Sequence, residues 1–284
     1  MTVCLVWIDR MKRLYIDSEL SLNHAAVLSE AAYHYLFRVN RIAPEATIVA
    51  FNGDGYDYTC QLQLTGKRHA QITPVRVEKN TRESPLHTVL IQGISKGERM
   101  DYVMQKAVEL GVNEIYPVLT ARAVVKLDQT RLAKKNQHWH GVAIGACEQS
   151  GRAVLPEIHP VMPLQTVLAA LATPPITAPP TTALTAQSSA EQSSAEQAPL
   201  SDCIKLVLHP TANEAVLSSL AEGAAKTCCI LIGPEGGLTD AEVSMASASG
   251  FVACQLGHRI LRTETAAVSA LTAAQILWGD FRVF

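Results

Sequence analysis

Apolar positions change their period along the chain. Near the start they fall in short, strand-length runs: Leu5-Val6-Trp7-Ile8, Leu14-Tyr15-Ile16 and Thr47-Ile48-Val49-Ala50-Phe51. The last run leads into Asn52-Gly53-Asp54-Gly55 and then into partial alternation from Tyr56 to Leu64. Asn, Asp and Gly tolerate the positive φ of tight hairpin turns, so this stretch predicts a hairpin. One helix is expected within 21–39. Residues 1–75 thus predict a small, mostly β unit.

From residue 76 the pattern alternates between buried strands and amphipathic helices. A strand over 87–94 precedes Lys96-Gly97 and a helix whose Met100, Val103, Met104, Ala107 and Val108 share one face. Gly111 stops that helix. A strand over 112–119 and a helix over 131–149, with Trp139, Val142, Ala143 and Ala146 on one side, come next. Then a strand at 204–209, a helix near 213–221 and a strand at 228–232 lead to a Gly-Pro-Glu-Gly-Gly turn and a helix from Asp240. Thr239 and Glu242 have the spacing of a capping box for that helix. A strand at 252–256 and a final helix, capped by Thr263 and running to about Phe281, complete the pattern. Alternating strand and helix predicts an α/β unit with a parallel sheet, spanning 76–284. Residues 172–202 interrupt it: they are rich in Ala, Thr, Pro, Ser and Gln and repeat Ser-Ser-Ala-Glu-Gln in tandem. So few large apolar side chains cannot offset ordering entropy, and a flexible insertion is expected.

Composition narrows the function classes. The net charge is −2, so the whole chain is no polycation. The charge is uneven: residues 76–160 hold 12 basic and 9 acidic side chains, and 161–284 hold 5 and 10. A local basic face is compatible with that distribution. The seven cysteines are odd in number and form no C-x-x-C pair, which predicts a reducing, cytoplasmic setting with no metal site and no disulfide framework. No stretch has the length and apolarity of a membrane span or of a signal segment, so no membrane partner is expected.

Two stretches carry candidate chemistry. The Gly233–Gly237 turn follows a strand, but it lacks the G-x-x-x-x-G-K-[ST] pattern and places Glu235 where a triphosphate would need a cation. A neutral or cationic ligand fits it better. Its backbone groups can pair an adenine edge, and a sulfonium tolerates the carboxylate, as in S-adenosylmethionine. Taken alone, the turn reads better as an unliganded strand-to-helix connection. The second stretch, Leu256-Gly257-His258-Arg259-Ile260-Leu261-Arg262-Thr263-Glu264-Thr265, sets two arginines and a glutamate before an apolar helix. Both stretches follow strands, so both would lie at the carboxyl edge of one sheet, where ligand sites form.

With these residues in hand, the chain resembles the small-subunit ribosomal RNA methyltransferase E family (RsmE), within the SPOUT methyltransferases. The resemblance rests on HYLFRVNR from His34, KGERMDYVMQKAVELGVNEIYPV from Lys96, EQSGR from Glu148, IGPEGGLTDAEV from Ile232 and LGHRILRTETAAVSAL from Leu256. It implies an N-terminal PUA-like β-barrel and a C-terminal parallel-sheet domain with a trefoil knot. It also implies a homodimer and methylation of N3 of one uridine near the 3′ end of 16S rRNA in the assembled 30S subunit. The expected cofactor site comprises Leu208, His209, Ile232, Gly233, Glu235, Gly236, Gly237, Leu256, Arg259, Ile260 and Leu261. Arg262 and Glu264 are the candidate catalytic pair, although Glu264 also reads as a residue that pins its loop. RNA contacts are expected from Arg10, Arg38, Arg41, Lys96, Arg99, Arg122 and Arg152, with Lys126, Lys134 and Lys135 as further candidates. Thr120-Ala121-Arg122-Ala123 departs from the family's Ser-rich stretch but keeps the arginine, and Asn40 replaces a family leucine. Two other readings stand: a knotted methyltransferase acting on tRNA or a ribose 2′-hydroxyl, and a non-catalytic ribosome-binding protein.

Overall fold

A computed structural model describes residues 11–123, 129–172, 202–210, 212, 215–216 and 225–281. The expected strand at Leu5–Ile8, Arg10, Lys126 and nearly all of the low-complexity stretch lie outside these residues.

The N-terminal unit is a five-stranded sheet in the order β1-β3-β4-β5-β2. Its strands are β1 (Arg13–Tyr15), β2 (Ala26–Val27), β3 (Thr47–Phe51), β4 (Tyr56–Gly66) and β5 (His69–Lys79). The hairpin expected at Asn52–Gly55 joins β3 to β4, with Gly53 and Gly55 both at positive φ. Alternate positions bury Ile48, Ala50, Tyr58, Cys60, Leu62, Ala70 and Ile72 in one core. The single helix expected over 21–39 is instead a composite. Asn23 turns at positive φ, and Ala26–Val27 pairs with β5. Only after the Ser29 cap does a helix begin: α1 (Glu30–Tyr33), continued by a π-helical turn at His34–Val39 that buries Leu36. The long β5 was not legible in the sequence, and it carries the sheet to Lys79, beyond the expected boundary at 75.

The C-terminal unit is an eight-stranded sheet whose pairings are all parallel, as the βα alternation predicts. Its main path runs β11 (Ala215–Val216), β13 (Val252–Gln255), β10 (Cys203–Leu208), β12 (Thr227–Ile232), β6 (His87–Gly93), β7 (Glu114–Leu119) and β8 (Glu157–Ile158). β9 (Met162–Pro163) also pairs with β7. Helices α2 (Glu98–Glu109), α3 (Gln129–Ser150) and α6 (Thr263–Trp278) cover one face, where Met104, Trp139 and Leu271 pack on Leu90, Ile115 and Ile230. Helices α4 (Leu164–Ala172) and α5 (Asp240–Ala248) cover the other, where Leu168 and Ala246 pack with Val89, Ile91, Val207 and Leu231. Central strands buried on both sides explain why they read as continuous apolar runs. The capping box at Thr239 and Glu242 is formed. A helix expected near 213–221 is overturned at its only described pair, Ala215–Val216, which pairs with β13 at Cys254–Gln255.

The two units are tied by polar contacts. Arg13 Nη2 donates to Asp57 Oδ1 at 2.8 Å and to the Arg152 carbonyl at 3.1 Å. Asn80 Nδ2 donates to the Gly151 carbonyl at 3.0 Å, and the Tyr15 N–H donates to Glu148 Oε1 at 3.1 Å. Arg152 is itself nearly inaccessible. Its Nη2 lies 2.7 Å from Glu83 Oε2, and its Nη1 donates to the carbonyls of Val108 and Val112. The expectation that Arg152 contacts RNA is thereby corrected. Its guanidinium caps the carbonyls around the end of α2 from inside the protein.

Candidate active site

Strands β10, β12 and β13 end side by side, and the connections that leave them enclose a cavity of about 580 Å³. That volume suits a small organic ligand. All eleven residues expected at the cofactor site line it, as do the candidate pair Arg262 and Glu264.

The glycine-dense turn after β12 is shaped by close backbone approach. Gly237 has φ +70° and its N–H donates to the Pro234 carbonyl at 2.8 Å. A Cβ on Gly233 would come within 2.9 Å of the Gly237 carbonyl carbon and 3.0 Å of the Leu238 nitrogen. Backbone cannot yield as a flexible side chain could, so only glycine fits there. From outside, Arg122 Nη1 donates to the carbonyls of Gly236 (3.2 Å) and Leu238 (3.1 Å).

Glu235 lines the cavity and also braces the turn. Its Oε1 accepts from the Lys96 N–H and from Arg99 Nη1, each at 2.9 Å, and so joins the turn to the start of α2. Burial alone would raise its pKa. The backbone N–H groups of Lys96 and Glu235 and the Arg99 guanidinium outweigh burial and hold the carboxyl below its ordinary value.

The second connection, after β13, bends at Gly257 with φ +72° and presents Ile260 with 87% of its surface exposed. The helix cap differs from expectation: Arg262 occupies the cap position and Thr263 is the first helical residue. Instead of capping, the Thr263 hydroxyl donates to the Gly233 carbonyl at 2.7 Å and accepts from Gln92 Nε2 at 2.9 Å. The two candidate stretches are thus joined directly. Glu264 follows, half-buried, with an Oε2 that is shielded from solvent and has no hydrogen-bond partner among the described residues.

Of the basic residues expected at RNA, Arg38, Arg41, Lys96, Arg99 and Arg122 are exposed, the last two at the cavity itself. His34 is exposed as well. Sequence reasoning missed Gln92 and Gly93 at the end of β6. A Cβ on Gly93 would meet the Pro234 nitrogen at 2.5 Å, so this strand end presses on the turn. The available signal was a polar residue and a glycine closing an apolar run.

Comparison with known proteins agrees with this geometry. Residues 82–275 match the family model for an RNA methyltransferase domain, and residues 28–75 match the model for an RNA methyltransferase PUA domain. The fold and site therefore define a two-domain RNA methyltransferase. The chain is 32% identical to ribosomal RNA small subunit methyltransferase E of Bacillus subtilis, over 87% of this chain and 90% of that protein. Among solved structures it resembles ribosomal RNA small subunit methyltransferase E from Neisseria gonorrhoeae bound to S-adenosyl methionine. That match has 34% identity and a TM-score of 0.78, covering 95% of this chain and 99% of that one. A Legionella pneumophila methyltransferase in complex with the same cofactor gives 34% identity and a TM-score of 0.79, covering 96% and 100%. The chain belongs to the ribosomal RNA small subunit methyltransferase E family.

Proposed function

We propose that this protein transfers the methyl group of S-adenosylmethionine to N3 of a uridine near the 3′ end of 16S rRNA, within the 30S subunit. The observation that carries the reading is the 2.7 Å bond between Thr263 and Gly233, which closes the two predicted stretches around one cavity. The Neisseria gonorrhoeae and Legionella pneumophila proteins bind S-adenosyl methionine, and the cavity here has the volume, the glycine-lined wall and the carboxylate for the same ligand.

Methyl transfer from a sulfonium is an in-line displacement, in which positioning supplies much of the acceleration. The C–S bond breaks, an N3–C bond forms, and S-adenosylhomocysteine leaves. Uracil N3 is protonated at neutral pH, so its proton must pass to a base as the bond forms. Glu264, with its unpartnered buried oxygen, is the group we assign to receive it. Arg262, exposed at the cavity mouth, is assigned to the charge that grows on the uracil carbonyl oxygens. Arg38 and Arg41 on the N-terminal unit, with Lys96 near the cavity, supply phosphate contacts.

The finer features of the family accompany this reading: a trefoil knot in the chain around the cofactor turn, a homodimer and a cytoplasmic location. Beside the cavity lies an open hollow of about 790 Å³. Glu98, Asp101 and Tyr102 of α2 and Glu264, Thr265 and Val268 of α6 line it. No described helix is long and apolar enough to cross a membrane.

The test is nucleoside mapping of rRNA from a deletion strain, then restoration with purified protein, labelled cofactor and 30S subunits. Loss and recovery of 3-methyluridine in 16S rRNA is the expected result. Unchanged rRNA with labelled tRNA, or no cofactor binding, would overturn the proposal.

A further inference from the structure

Gln92 is a fully buried glutamine beneath the cavity, next along its strand to the buried apolar Leu90 and Ile91. Its Nε2 donates to the Gly93 carbonyl at 3.0 Å and to Thr263 Oγ1 at 2.9 Å. The Thr263 hydroxyl passes its own hydrogen to the Gly233 carbonyl at 2.7 Å. This order is forced by the atoms. Two carbonyl oxygens can only accept, so the amide nitrogen must face Gly93 and the hydroxyl must donate to Gly233. Gln92 Oε1 is left buried with no partner among the described residues. An unmet acceptor is a cost that an apolar side chain of similar volume at this position would avoid.

We propose that Gln92 and Thr263 are positioning residues: a directional relay from β6 through the start of α6 that holds the Gly233 carbonyl and thereby presets the cofactor turn. Three neighbouring carbonyls are already held by other donors, Pro234 by the Gly237 N–H and Gly236 and Leu238 by Arg122. The Gly233 carbonyl lies at the junction of strand and turn, and Thr263 holds it. Gly93 lets the end of β6 sit against Pro234, which gives the relay its rigid base. Gln92 does not line the cavity, so its effect on a ligand must pass through Thr263 and the turn. Without the relay the Gly233 peptide is free to rotate toward the cavity, and binding must first restore its orientation.

The inference rests on S-adenosylmethionine being the ligand of the cavity. The test compares Thr263→Val, Thr263→Ser, Gln92→Met and the Thr263→Val/Gln92→Met double variant. Calorimetry with S-adenosylmethionine, steady-state kinetics on 30S subunits and melting of the unliganded protein are measured together. Thr263→Val keeps the shape and removes the hydroxyl. It is expected to raise both Kd and KM for the cofactor by about 3- to 10-fold, the effect of one lost hydrogen bond. KM for the 30S subunit should stay within about twofold, because neither residue is assigned to RNA. Thr263→Ser is expected to recover the affinity, and Gln92→Met to weaken it in the same direction as Thr263→Val. The double variant should be no worse than the larger single effect, since both changes break one chain of bonds. Unchanged cofactor affinity in a folded Thr263→Val protein, or equal loss in Thr263→Ser, overturns the relay alone. Wild-type protein that binds no S-adenosylmethionine overturns the relay and the cofactor reading together.

Discussion

Arg99 and Glu235 meet at 2.9 Å across the gap between the start of α2 and the cofactor turn. The Lys96 N–H reaches the same carboxylate oxygen. The carboxylate that distinguishes this turn from a phosphate loop thus serves as a strut between two segments.

A strut of this kind is partly exposed, so its ion pair contributes little by itself. Glu235→Gln keeps an acceptor for the Lys96 N–H and is expected to weaken S-adenosylmethionine binding by less than about fivefold. Gly233→Ala forces a Cβ into backbone at 2.9 Å and is expected to weaken it by about 30-fold or more. Calorimetry returning the opposite order would refute this account of the cavity wall.

The chemical step should separate from cofactor binding at Glu264 and Arg262. Glu264→Gln and Arg262→Ala are each expected to lower kcat by about 100-fold or more, the usual range for losing an acid–base or charge-stabilising group. Cofactor Kd should change little. Single-turnover methylation with saturating cofactor makes the measurement, and wild-type rates in both variants would return Glu264 to the role of a loop pin.

Arginines at the junction and on the surface should behave differently. Arg152→Leu removes the guanidinium that donates to the Glu83 carboxylate and to the carbonyls of Val108 and Val112, and is expected to cost about 3 kcal/mol of stability in chemical denaturation. Arg38→Ala and Arg41→Ala should leave stability nearly unchanged and each reduce the salt slope of 30S binding by about one. An Arg152 variant that melts normally but binds RNA poorly would restore the sequence-based assignment.

At the opposite, amino-terminal edge of the sheet, Glu114 accepts from His87 and His159 at 2.9 and 3.0 Å and from the Tyr116 hydroxyl at 3.0 Å. Glu157 Oε1 stands 3.4 Å from the other ring nitrogen of His159. The hydrogen bond from His87 leads the interactions that bring the Glu114 pKa down to about 2, against the opposing effect of burial. A folded-state pKa below the unfolded value makes the carboxylate stabilising above about 4.5, with that stability lost as pH falls toward about 2. Glu114→Gln should therefore lower the melting temperature at pH 6 and flatten its decline between pH 4.5 and 2. An acid limb identical to wild type would show that this cluster does not govern it.

Much of the α/β unit was legible because its signals are local. Met100, Val103, Met104, Ala107 and Val108 repeat at the helical period and all are buried, and Gly111 ends the helix region at positive φ. Thr239 and Glu242 lie within one helical turn of each other, so their capping box could be read directly. The 21–39 region failed for the complementary reason. The extended state of Ala26–Val27 depends on Ile72 and Gln71 of β5, more than forty residues away, and no local period records that pairing. Arg152 failed similarly: its place in the EQSGR stretch suggests RNA contact, while its hydrogen-bond partners are Glu83 and the carbonyls of Val108 and Val112.

The sequence by itself determined that two loops, one dense in glycine and one bearing Arg262 and Glu264, leave parallel strands at the same edge, because strand period, glycine content and charge are written in adjacent residues. Only the tertiary structure decided that Thr263 holds Gly233 instead of capping its helix, that Glu235 faces Arg99, and that Gln92 lies beneath both loops. A hydrogen bond is chosen by which donor and acceptor the packed chain brings within about 3 Å, and here that choice joins residues 30, 136 and 171 positions apart.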